Sequence, residues 1–261
     1  MSSPTTPPPP QMYSSPEPTV AEPIGPGLSE PQRLINTFIA PSKTFADIRR
    51  NASWWVPLLL ISIFSIGFFV MVDKKVGFDQ VAHNMLENNK AIQQLDPAQQ
   101  QQAYSRTAVG LKVGEYAAPI FILLYVVVVA AVLMATFNFI MDAQVPFSRA
   151  IAIVMYGWLP GIVTSILAMF SLAYGNPEGF RLENPVGTNP AYFLDFNTTS
   201  KFVYGMLTSF DVISLWMIAL IGIGFALNAK KKISIGSAIG VVATWYFIFK
   251  LCSAGFAAMR G

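Results

Sequence analysis

Five apolar stretches, residues 54–72, 117–141, 150–174, 202–229 and 233–259, decide what this chain can fold into. Each approaches or exceeds the roughly 20 residues that a helix needs to cross about 30 Å of hydrocarbon. Two charges, Asp211 and Lys250, interrupt them. A water-soluble protein would carry amphipathic stripes instead, with charge on each solvent face. In lipid the backbone must close its own hydrogen bonds, so these stretches predict five transmembrane helices and an all-α, polytopic membrane bundle.

Composition agrees. Charged residues make up 12% of the chain, well below the roughly 25% of soluble domains. The net charge of +3 is small and scattered, which argues against nucleic-acid binding. The single cysteine, Cys252, lies within the fifth stretch and cannot form an intramolecular disulfide. No HExxH, GxSxG or CxxC occurs and no carboxylates cluster in the spans, so neither an enzyme nor a cofactor is expected. The lone histidine, His83, makes no metal site, because zinc needs three or four ligands.

Residues 1–28 hold nine prolines and no Lys or Arg. That composition reads as a disordered cytoplasmic tail rather than a cleaved signal, leaving the first span to act as a signal-anchor. The tail is a solubilising linker or a ligand for protein partners. Residues 29–261 form the membrane domain. It opens with short amphipathic helices over 29–50. Ser29 and Gln32 have capping-box spacing, Pro41 breaks the first helix and Ser42 caps a second carrying Phe45 and Ile48. Such helices suit an interfacial position, apolar face down, with Trp54 and Trp55 marking the membrane surface.

Residues 73–116 are polar and predict an extramembrane helical hairpin, with Asp96-Pro97 starting its second arm. The long loop 175–201 contains Asn176-Pro177, Asn184-Pro185 and Asn189-Pro190, all turn initiators. Lys and Arg divide evenly between the two sides of the membrane, but Lys230, Lys231 and Lys232 crowd a minimal turn, where the positive-inside rule is strongest. This places the N-terminus in the cytoplasm and, after five spans, the C-terminus outside.

Asp211 and Lys250 lie at equal distances, 19 residues, from the basic turn on either side. At 1.5 Å per residue both sit roughly 28 Å from it, at one depth. They are candidates for an intramembrane ion pair. Alternatively, Lys250 snorkels while Asp211 finds a hydroxyl, or the two form a relay. Pro160 should kink the third span and deprive the Tyr156 carbonyl of its usual donor. Gly222 and Gly224 in the fourth span, and the Gly236–Gly240 GxxxG in the fifth, favour close helix packing.

Pro41-Ser42-Lys43-Thr44-Phe45-Ala46-Asp47-Ile48 followed by Trp54-Trp55-Val56-Pro57-Leu58 resembles the entry motif of the bacterial branch of the Yip family. Tyr156-Gly157-Trp158-Leu159-Pro160, Asn189-Pro190-Ala191, Asp211-Val212-Ile213-Ser214-Leu215-Trp216 with Ile221-Gly222, the basic turn and Trp245 resemble its later signatures, over roughly residues 30–258. The resemblance implies five spans, N-terminus inside and C-terminus outside, in a bacterial cytoplasmic (inner) membrane. Eukaryotic members are implicated in binding Rab GTPases, but their acidic Asp-Leu-Tyr-Gly-Pro-type motif is absent here. The expected function is a non-enzymatic membrane scaffold contacting the lipid bilayer, with a homo-oligomer left open. The alternative is a small-molecule or ion permease built on Asp211, Lys250 and the Pro160 kink.

Overall fold

The structure, a computed structural model, describes residues 26–87, 89–176 and 180–260. The reading of the Pro-rich tail falls mostly on residues 1–25, outside the described residues, as does Pro177 of the first Asn-Pro turn. Among the described residues the chain is a bundle of α-helices with no strand. Among the described residues four helical segments are long and apolar enough to cross a membrane, and one bent helix pair makes a fifth if it crosses as a single span.

Helix α1 (Glu30–Ile39) starts at the expected capping box. The Ser29 hydroxyl accepts from the Gln32 amide and the Gln32 side chain accepts from the Ser29 amide. Ala40 is the N-cap of α2 (Pro41–Asp47), without a side-chain cap. Ser42 is therefore already helical, because Pro41 itself supplies the favourable first position. The apolar side of α2 does not lie against headgroups. Phe45 and Ile48 are fully buried in the bundle core. Room for them comes from α10: a Cβ at Gly224 would stand 2.8 Å from the Phe45 ring and 2.5 Å from Ile153.

The first span is α3 (Trp55–Lys75). Helix α4 (Phe78–Leu86) and the single turn α5 (Lys90–Gln93) follow, and then α6 (Pro97–Met141), 45 residues long. At 1.5 Å per residue α6 extends for about 68 Å, more than twice a bilayer core. The anticipated hairpin exists, since α4 packs on α6, but its second arm is continuous with the second span. Asp96 starts that arm by accepting from the Gln99 amide at 2.9 Å. No proline separates the arm from the apolar stretch, and the helix continues through Pro119 inside that stretch.

Helix α6 ends in two residues with positive φ, Asp142 and Gln144, and Asn138 pins the turn by bonding both backbone groups of Val145. Helices α7 (Phe147–Gly157) and α8 (Gly161–Tyr174) make the third span. Pro160 does remove the usual donor of the Tyr156 carbonyl. The Leu159 amide replaces it at 3.2 Å, so the chain crosses the junction in tight turns.

The fourth apolar stretch is not one helix. Helix α9 (Lys201–Leu207) passes through a 3-10 turn (Thr208–Phe210), breaks at Asp211 and restarts as α10 (Val212–Asn228), bent by 55°. The last span is α11 (Ile235–Arg260).

The main core fills the half of the bundle nearest Lys230, Lys231 and Lys232 (the basic end). Phe45, Phe137, Tyr156 and Phe225 are buried there, and the Phe137 and Phe225 rings stack at 4.4 Å. A smaller core of Val72, Phe78, Val81, Ala108, Leu172 and Phe180 lies beneath the hairpin at the opposite, loop end.

Candidate functional site: a polar cavity at the broken fourth span

A helix that stops and restarts within an apolar stretch must satisfy its freed backbone groups locally. Asp211 does this for α10. It takes an extended conformation and one carboxylate oxygen accepts from the Ser214 amide at 2.7 Å. The other oxygen accepts from the Thr188 hydroxyl, and the Thr188 carbonyl accepts from the Val212 amide at 3.0 Å. The long third loop is thereby fastened onto the break. Asn184 and Asn189, both buried, exchange side-chain hydrogen bonds, and Asn184 also donates to the Tyr204 hydroxyl at 3.0 Å.

Beside this clasp lies a half-open cavity of about 380 Å³. Its walls come from α8 (Thr164, Ser165), α10 (Ser214), the loop (Glu183) and α11 (Lys250), with Asp211 at the break. Asp211 and Lys250 thus share one cavity, but no ion pair within 4 Å joins them among the described residues. The carboxylate is occupied as a helix cap. The Lys250 ammonium lies over the Tyr246 ring, 5.7 Å from its centre, in a cation–π contact. The Tyr246 hydroxyl in turn donates to the Ser209 carbonyl at 3.1 Å, tying α11 to the break. Pro160 stands next to the cavity, which begins at Gly161.

The glycines separate into two groups. At Gly222 a Cβ would lie 2.7 Å from the Ile239 backbone, so α10 and α11 touch there, and Gly224 makes the approach to Phe45 and Ile153. Gly236 and Gly240 face open space. Of the entry motif, Pro41 starts α2, Phe45 and Ile48 are core residues, Trp54 lies partly buried against them and Trp55 is exposed.

One polar network escaped the sequence reading. The Arg33 guanidinium is buried and meets Asp47 Oδ2 through Nε and Nη2, both at 2.7 Å. Burial opposes its charge, but the hydrogen bond and negative charge of Asp47 outweigh that and hold its pKa above the ordinary arginine value. Glu30 lies 3.6 Å from the same guanidinium and accepts from the Tyr156 hydroxyl at 2.7 Å. Asn228 donates to the Phe45 carbonyl at 2.8 Å. These contacts lock α1 and α2 to α7 and α10. No local signal marks Arg33 in the sequence, because its partner is fourteen residues away and on another helix. Asn184 was legible only as a turn former, Asn189 as a turn former and part of the family resemblance, and Thr188 not at all.

Among the described residues no three His, Cys, Asp or Glu side chains gather where a metal could bind. A family model, the Yip1 domain, matches residues 35–252. No curated protein and no solved structure matches the chain.

Proposed function

The chain belongs to the Yip1 domain family and is an integral, multi-pass membrane protein, and from that premise we propose that it is a non-enzymatic membrane scaffold. The observation that carries this reading is the close packing of large apolar side chains at the basic end. Phe45, Ile48, Phe137, Tyr156 and Phe225 are all fully buried there. A permeation path needs polar groups or water along its length, because an uncompensated charge near the bilayer centre costs roughly 2.5–3.5 kcal/mol or more. The polar cavity is backed by this apolar core. Meanwhile Ile35 and Ile39 on the clamped helix α1 stay exposed, a preformed apolar edge for lipid or for a partner helix.

In this reading the lysine turn and the N-terminus face the cytoplasm of a bacterial cell and the C-terminus lies outside. Protein partners engage the Pro-rich tail or the α1 edge. Affinity purification of the full chain and of a chain lacking residues 1–28 tests it. Specific partners should be captured by the first and depleted from the second or from an Ile35→Glu, Ile39→Glu variant.

A second reading, a small-molecule or ion permease, is favoured by one observation: the hydroxyl-lined cavity beside Asp211, Lys250 and the Pro160 junction. Proteoliposomes that pass solute in a Lys250-dependent way would replace the scaffold reading with this one.

A further inference from the structure

The cavity at the break holds a combination of charges that the scaffold reading leaves unused. Lys250 is half-buried, and among the described residues no hydrogen bond or ion pair engages its ammonium. Asp211 is also half-buried. Its two oxygens offer about four acceptor positions, of which the Ser214 amide and Thr188 hydroxyl take two. Glu183 adds a second carboxylate to the wall. Hydroxyls of Thr164, Ser165 and Ser214 complete the polar surface. A volume of about 380 Å³ lies within the range of small-ligand pockets, roughly 300–1,000 Å³.

Opposite charges in one cavity, not in contact, select a ligand that carries both. A simple anion would satisfy Lys250 but meet two carboxylates, and a simple cation would meet the ammonium. We propose that this cavity binds a small zwitterion, with its anionic group on Lys250 and its amine on Asp211 and Glu183. Phosphoethanolamine, an ammonium two carbons from a phosphate, has this chemistry, either free or as a phospholipid headgroup. The lipid source fits the surroundings of Lys250, since its neighbours Ile248, Phe249 and Leu251 are exposed apolar side chains on a membrane helix.

Two arms tell the sources apart. In the first, the full-length chain is purified from bilayers of equal phosphatidylethanolamine and phosphatidylglycerol, and retained lipid is counted by native mass spectrometry. In the second, free phosphoethanolamine is titrated while thermal unfolding is followed in phosphatidylglycerol discs. Retention of phosphatidylethanolamine over phosphatidylglycerol assigns the lipid source, and stabilisation by the free compound assigns the soluble one. Either effect should fall about tenfold in Lys250→Met, the scale of one lost charged hydrogen bond, and survive in Lys250→Arg. Because Asp211 also caps α10, Glu183→Gln serves as the carboxylate variant, and it should narrow the preference for the zwitterion. Equal retention of both lipids with no stabilisation by the free compound overturns the proposal. So does an effect that Lys250→Met leaves unchanged.

Discussion

Asp211 looks like a costly charge in a membrane helix until its neighbours are counted. The α10 amide at Ser214 and the Thr188 hydroxyl neutralise the cost locally. Asp211→Ala should therefore lower stability by about 0.5–2 kcal/mol, the usual loss of an N-cap. Asp211→Asn keeps an acceptor and should cost less; a thermal unfolding series in detergent orders the two. At Gly224, the nearest Phe45 and Ile153 atoms stand 2.8 and 2.5 Å from a hypothetical Cβ. Gly224→Ala should cost about 1–3 kcal/mol through overpacking. At Gly240, where nothing lies within 4 Å, the same change should be neutral or slightly stabilising. Equal effects at the two glycines would contradict this account of the packing.

Among the elements, α1 is held by the buried Arg33–Asp47 pair. Removing one partner, as in Arg33→Met, leaves an uncompensated carboxylate and should cost about 3–5 kcal/mol. The double variant Arg33→Met, Asp47→Leu should recover part of that loss, and a double-mutant cycle on unfolding free energy measures how much. This network also marks the limit of what the sequence reveals. The spans were legible because hydrocarbon demands an apolar run of fixed length, and the starts of α1 and α6 because caps are local. The break at Asp211 was not. A continuous apolar stretch reads as one helix, and the group that stabilises the break, Thr188, comes from a loop 23 residues earlier. For the same reason residues 97–116 read as a separate arm: polarity changes along α6, but its backbone does not. The cavity was half legible. The shared depth of Asp211 and Lys250 follows from counting, whereas the cavity that they line depends on where α8 and the loop settle.

For the whole molecule, the bend of 55° carries the most weight. If α9 and α10 together make one crossing, the chain crosses five times and its ends lie on opposite faces. If they form a re-entrant pair, it crosses four times and both ends lie together. Epitope tags at each terminus of the full chain, probed with impermeant antibody in sealed right-side-out and inverted vesicles, decide between these. The lysine turn, cleaved by added trypsin, serves as an internal reference. Five crossings predict the N-terminal tag and trypsin cleavage at Lys230, Lys231 and Lys232 in one vesicle orientation and the C-terminal tag in the other. Both tags appearing in the same orientation would contradict the account.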